Sequence, residues 1–123
     1  MEVVAVLGAS SDPNRYSYKA IELLKQYGHQ AIPVHPREKI VLDLNVVSSL
    51  KELIDKKISV DTLTMYVNPA LSSPLTSDIL TLKPKRVIFN PGTENPELEK
   101  QLSSHGIQVE QACTLVLLRT GQY

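Results

Sequence analysis

The chain has 123 residues, 42 % of them apolar and 21 % charged, and its 13 basic and 13 acidic side chains leave a formal net charge of zero. That length buries a core without disulfide or metal staples, and the charge balance argues against a dedicated nucleic-acid binder, which carries a basic excess or stripe. One cysteine, Cys113, rules out an intrachain disulfide and a thiolate zinc site.

Met1-Glu2-Val3-Val4 runs straight into apolar residues with no basic segment before them, and no stretch approaches the length of a membrane span. The expectation is a cytoplasmic protein that binds neither nucleic acid nor membrane, with one domain over residues 1–123. Val3–Leu7 is short, apolar and β-branched, and it meets Gly8 at once. This predicts a strand buried on both faces of a parallel sheet. Gly8–Arg15 is dense in loop formers. A helix is predicted over Tyr16–Tyr27, with Ala20, Leu23, Leu24 and Tyr27 as its buried face and Gly28 as its left-handed cap. Gln30–Val34 returns as a second strand, closed by His35-Pro36.

Ile40, Leu42 and Leu44 alternate as in a short extended segment, and Ser48–Ile54 reads as a short helix. Val60–Val67 is the third strand. Asn68-Pro69 and Ser73-Pro74 both signal a helix start, and Leu75, Ile79 and Leu82 supply the apolar stripe behind them. Arg86–Asn90 is the fourth strand. Asn95 is the N-cap of the next helix, with Pro96 in its first position and Glu97 and Glu99 at the positive end of its dipole. Gly106 ends that helix, Ile107–Gln111 is the fifth strand, and Cys113–Arg119 closes with a turn or two of helix. Alternating strands and helices imply a three-layer, Rossmann-like α/β fold with a mainly parallel five-stranded sheet and helices on both faces.

In such sheets ligands bind beyond the carboxyl ends of the strands, where strand order reverses. Gly8–Arg15 is therefore the first loop to question. Backbone amides and a helix start suit a phosphate, Gly8 permits a tight turn, and Ser10, Ser11, Asn14 and Arg15 add donors. The dinucleotide fingerprint G-x-G-x-x-G is absent beyond its first glycine. An NAD site places an acidic residue after the second strand; here stands His35-Pro36-Arg37, and a cation there suits a ribose phosphate, as in coenzyme A or NADP. Glu38 follows and is still within reach of a ribose, and both charges also fit a solvated surface. The histidines form no metal pattern, and no catalytic set converges. Cys113 reads either as a structural thiol in an apolar run or as a neighbour of a cofactor's reactive end.

Val6-Leu7-Gly8-Ala9-Ser10, Asn14-Arg15-Tyr16-Ser17-Tyr18 and Ile32-Pro33-Val34-His35-Pro36 resemble the CoA-binding domain family, small stand-alone proteins similar to the N-terminal domain of the succinyl-CoA synthetase α-subunit. Tyr66-Val67-Asn68-Pro69, Phe89-Asn90-Pro91-Gly92 and Ala112-Cys113 fall where that family has ligand-edge loops. The resemblance implies that Gly8, Ala9, Ser10, Asn14 and Arg15 line the phosphates and that His35, Pro36 and Arg37 flank the adenosine 3′-phosphate. It implies further that Val67, Asn68 and Pro69 border the nucleotide, and that Asn90, Pro91 and Gly92 pass near the pantetheine arm with Cys113 close by. It implies no synthetase activity, because the phosphorylated histidine of the synthetase belongs to another domain. The leading expectation is a module that binds coenzyme A or an acyl-CoA without chemistry of its own. The alternatives are a small NADP-dependent enzyme or reductase component and a ligand-free interaction protein; homodimerisation is a further way to complete a site.

Overall fold

The computed structural model describes residues 1–123. Five parallel strands form the main sheet: β1 (Val3–Leu7), β2 (Gln30–Val34), β5 (Thr62–Met65), β6 (Arg86–Phe89) and β7 (Gln108–Gln111). Their spatial order is β2-β1-β5-β6-β7. Order therefore reverses at β1, whose register joins Val4–Leu7 to Ala31–Val34 on one side and to Thr62–Met65 on the other. The reversal puts a crevice beyond the carboxyl ends of β1 and β5.

Strand alternation divides the core. Ala5, Leu7, Leu63, Met65, Val87 and Phe89 face one side, where they pack with Leu50 and Leu53 of α2 (Leu50–Asp55), Ile79 of α4 (Thr76–Leu82), and Leu98 and Leu102 of α5 (Pro96–Ser104). Val4, Val6 and Ala31 face the other, against Ile21 and Leu24 of α1 (Tyr16–Gln26) and Leu118 of α6 (Thr114–Arg119). This is the three-layer arrangement that the period-two pattern of the strands predicts.

Three expectations change in detail. The buried face of α1 is Ser17, Ala20, Ile21 and Leu24, with Leu23 half-buried and Tyr27 51 % exposed. Its spacing is still that of one helical stripe, but the stripe is rotated because α1 packs on α6 as well as on the sheet. Tyr27 is the cap rather than the last turn. Gly28 (φ +85°) and His29 return amide bonds to the carbonyls of Lys25 and Leu24, a left-handed termination. The segment over Ile40, Leu42 and Leu44 is not one extended piece. It is a minimal hairpin, β3 (Ile40–Val41) against β4 (Leu44–Asn45), turned at Leu42 with φ +56°.

Between β5 and β6 both helix-start signals operate. Asn68 caps α3 (Pro69–Ser72) by accepting from the Leu71 amide at 3.1 Å, and Ser73–Leu75 then makes a short 3₁₀ turn into α4. Asn95 caps α5 through the Leu98 amide, while Glu99 accepts from the Asn95 amide at 2.8 Å.

The amino ends of the strands are closed by polar groups that satisfy one another. Thr62 donates to Glu2 at 2.8 Å, and Arg86 donates to Thr62 at 3.1 Å while lying near Glu2 and Glu110. Asp61 accepts from the Val3 amide and pairs with Lys85. The amide hydrogen bond from Val3, seconded by Lys85, holds the Asp61 carboxyl below its ordinary range. The Tyr123 ring covers the Arg86 guanidinium at 4.5 Å and lies 5.0 Å from the His29 ring.

Candidate functional site

Gly8 has φ +91°, in the region that only glycine enters freely. A Cβ there would stand 2.9 Å from both the Tyr66 carbonyl oxygen and Val67 Cγ1. The residue therefore lets the loop after β1 lie directly against the loop after β5, across the point where strand order reverses. Its amide and that of Ala9 both donate to the Val34 carbonyl, at 3.0 and 3.2 Å.

The rest of the loop folds on its own side chains. Ser10 Oγ accepts from the Asp12 amide, Asp12 accepts from the Asn14 amide, and the Arg15 amide donates to the Asp12 carbonyl. Helix α1 then starts without a side-chain cap. The amides of Ser10, Tyr16, Ser17 and Tyr18 have no hydrogen-bond partner in the protein. Helices α2, α3 and α5 differ, since each has a capping Ser or Asn. An uncapped start on an eleven-residue helix leaves donors and a positive dipole end at the groove.

Three adjoining cavities run along the carboxyl ends of the strands. The first, about 320 Å³, is lined by His35, Pro36, Arg37, Ser48 and Ser49 on its polar side and by Leu50, Val67, Leu71 and Leu75 on its apolar side, with Leu7, Gly8 and Val34 at its base. The second, about 350 Å³, is lined by Gly8, Asn14, Arg15, Tyr16, Ser17 and Tyr66. The third, about 240 Å³, is lined by Tyr16, Tyr66, Asn90, Pro91, Cys113 and Leu115. Gly8 belongs to the first two, and Tyr16 and Tyr66 to the last two. The result is one trench with cations toward one end and an apolar, thiol-bearing recess at the other.

The polar chemistry is differentiated along it. His35 Nδ1 accepts from the Arg37 amide at 3.0 Å and the Glu38 amide at 3.2 Å, so the neutral ring carries its proton on Nε2 and offers a donor. That tight turn sends Arg37 to the trench and Glu38 away from it, where its carboxylate accepts from the Ser11 amide at 3.0 Å. In the recess, Asn90 is 2 % exposed and its amide group is fully engaged. It donates to Thr64 Oγ1 (2.7 Å) and the Met65 carbonyl (2.8 Å) and accepts from the Thr114 amide (2.9 Å), joining β5, β6 and the start of α6. Burial pushes the Tyr66 hydroxyl up, although the Thr114 hydroxyl pulls it back; it remains a neutral phenol at physiological pH.

Of the residues singled out from the sequence, Gly8, Asn14, Arg15, His35, Pro36, Arg37, Val67, Asn90, Pro91 and Cys113 line the trench. Ala9 does not: it is 1 % exposed and packs in the core with Val4, Val6 and Ile21. Ser10 and Ser11 are bonded within the loop or to Glu38. Asn68 and Pro69 are used to start α3, and the Gly92 amide donates to Glu94. Tyr16, Tyr66, Ser48, Ser49, Leu71 and Leu115 line the trench without having been assigned a role. Tyr66 reads as part of the third strand, but that strand ends at Met65 and leaves Tyr66 at the trench. Ser48 and Ser49 gave no signal. Val47 bonds to the outer side of β2, through the Pro33 carbonyl and the His35 amide, and that single bridge brings them beside Arg37.

Residues 2–119 match the family described as CoA binding domain. The chain belongs to the CoA-binding domain family. A crystal structure of an uncharacterized protein superposes with a TM-score of 0.89 at 44 % identity, covering 100 % of this chain and 98 % of that one. A Thermus thermophilus protein matches with a TM-score of 0.87 at 30 % identity over 99 % of this chain and 90 % of its own. The α-subunit of acetate–CoA ligase (ADP-forming) II from Pyrococcus furiosus is 39 % identical over 51 residues, which is 41 % of this chain and 11 % of the subunit. The chain thus matches about a tenth of the length of that ligase subunit. No helix is long and apolar enough to cross a membrane.

Proposed function

We propose that this chain binds coenzyme A or an acyl-CoA along the trench, as a nucleotide-binding module without catalysis of its own. The observation that carries the reading is the row of three adjoining cavities at the strand-order reversal, linked by the shared lining residues Gly8, Tyr16 and Tyr66, with Arg37 toward one end and an apolar recess with a thiol at the other. Coenzyme A has the same order of parts: a phosphorylated adenosine, a pyrophosphate, and a thin pantetheine arm ending in sulfur. In this reading Arg37, Ser48 and Ser49 receive the 3′-phosphate, and Leu71 and Leu75 back the adenine. The pyrophosphate lies at Gly8, Asn14, Arg15 and the free amides of α1. The arm passes Tyr16 and Tyr66 toward Pro91, Leu115 and Cys113. Family membership supports this cofactor, and nothing in it supports NADP.

The test is thermal unfolding with coenzyme A, 3′-dephospho-coenzyme A, NADP, NAD and ATP. A ligand at about a hundred times its dissociation constant stabilises by about 2.7 kcal/mol. Coenzyme A is expected to give the largest shift and to protect Cys113 from alkylation. A larger shift with NADP would transfer the site to a dinucleotide. Silence from every ligand would leave an interaction protein.

A further inference from the structure

The turn after β2 hangs on one ring nitrogen. His35 Nδ1 accepts from the Arg37 amide at 3.0 Å and from the Glu38 amide at 3.2 Å. Asn and Asp side chains build turns in the same way, by accepting from amides a few residues on. Neither amide has another partner in the protein. The His35 amide donates to the Val47 carbonyl, which ties the start of the turn to the segment before α2. His35, Pro36 and Arg37 all line the first cavity, together with Ser48 and Ser49. An imidazole accepts at Nδ1 only while that nitrogen is unprotonated, and a cationic ring is a donor at both nitrogens. Protonation would set a ring hydrogen against two amide hydrogens, so the turn that carries Arg37 would open.

We propose that His35 is a proton-sensitive positioning residue: its neutral ring holds the turn that presents Arg37 to the first cavity, and through Arg37 it sets the preference for a ligand carrying a 3′-phosphate. The inference rests on the coenzyme A reading of the trench. Histidine changes charge between about pH 5 and 8, so the preference is expected to fade in acid. The charged groups around the ring are few. Arg37 is the other charged side chain lining the cavity. Glu38 shares the turn, with its carboxylate on the Ser11 amide. From α2, Glu52 accepts from the Ser48 amide and hydroxyl and pairs with Lys56. The loop after β1 adds Gly8, and the segment after β5 adds Val67, Leu71 and Leu75, none of them charged. An imidazolium would also attract a phosphate directly. That attraction has the opposite sign in acid, so the direction of the pH dependence distinguishes the two.

The experiment is calorimetric titration of coenzyme A and 3′-dephospho-coenzyme A, from about pH 8 to about pH 5.5. The proteins are the wild type, His35→Asn, His35→Ala, Arg37→Ala and the double variant His35→Ala with Arg37→Ala. Asn sets a carbonyl oxygen in place of Nδ1 and does not titrate, so it tests rescue. Near the alkaline end His35→Ala is expected to lose about three- to tenfold of the preference for the 3′-phosphate. His35→Asn should keep that preference, and the double variant should match Arg37→Ala, since His35 acts through Arg37. On acidification the wild type should lose the preference more steeply than His35→Asn. Protonation of the phosphate itself, near about pH 6, is common to both proteins and cancels between them. In the free proteins, at one pH, exchange of the Arg37 and Glu38 amides should accelerate in His35→Ala and not in His35→Asn. Parallel pH courses, a shallower loss in the wild type, or an Asn variant no better than the Ala variant would overturn the inference and leave the coenzyme A reading intact. Absence of binding by every protein would defeat the coenzyme A reading, and this inference with it.

Discussion

At the amino ends of the strands, Glu2, Thr62, Arg86 and Glu110 satisfy one another; at the carboxyl ends, Arg15 and Arg37 form no ion pair. The same contrast holds for backbone donors. The amide of Val3 is met by Asp61 at one end, while the first amides of α1 are unmet at the other. Polar groups matched within the chain contribute to stability, and polar groups left open are available to a ligand. The two ends of one sheet thus divide folding from binding, and substitutions at each should separate the two properties.

The largest effect is expected where the two properties meet. Gly8→Ala forces a side chain into a left-handed backbone and against the Tyr66 carbonyl. It should cost about 3 to 5 kcal/mol, read as a lower urea midpoint, with coenzyme A binding lost in whatever remains folded. At the amino end, Arg86→Met removes the cation from Glu2 and Glu110, whose partner side chain is only 13 % exposed. A loss of about 1 to 3 kcal/mol is expected, with coenzyme A affinity unchanged in titration. A parallel loss of affinity would break the proposed division.

At the carboxyl end, Arg37→Ala should do the reverse. Its unfolding curve should overlay that of the wild type, while coenzyme A binds about tenfold more weakly, equivalent to about 1.4 kcal/mol. The deficit should vanish with 3′-dephospho-coenzyme A, and an equal deficit with both ligands would remove Arg37 from the 3′-phosphate.

The smallest effect is acid destabilisation, which touches both ends. Glu38, Asp61 and Glu52 all have carboxyls lowered on folding: Glu38 by Ser11, Asp61 by the Val3 amide, and Glu52, which falls to about 2, by Lys56 and Ser48. Because the folded-state values are depressed, the unfolded chain binds more protons in acid. The stability is fully present above the ordinary carboxylate range and is lost as pH falls; for Glu52 the window lies between about 4.5 and about 2. Urea midpoints should be flat near neutrality and decline only within that acidic range.

Most of this frame was legible because parallel strands buried on both faces are strong local signals. Val3–Leu7 and Gln30–Val34 occur with the predicted bounds, and Asn95 and Pro96 start α5 as their chemistry requires. What escaped depends on contacts distant in sequence. The hairpin at Leu42 departs from alternation because only two residues pair on each side. Asn90 lines the recess as its position suggests, but the bonds of its amide group to Thr64, Met65 and Thr114 are ones that no spacing within the chain reveals. Glu38 reads as a charge within reach of a ribose or as a solvated one, and only the folded turn, with two amides bonded to His35, shows its carboxylate on the Ser11 amide.

The residues at the two ends of the chain meet at the edge away from the trench. Glu2 donates its amide to His29, and Tyr123 lies against that same His29 and on Arg86, which reaches back to Glu2. A segment fused at either end would leave from one small area, far from the mouth of the trench. The fold can therefore be spliced into a larger polypeptide, or tethered to a surface by a terminal tag, as a single outward-facing cassette. Neighbouring units joined in this way would share a hinge side and keep their open sides free.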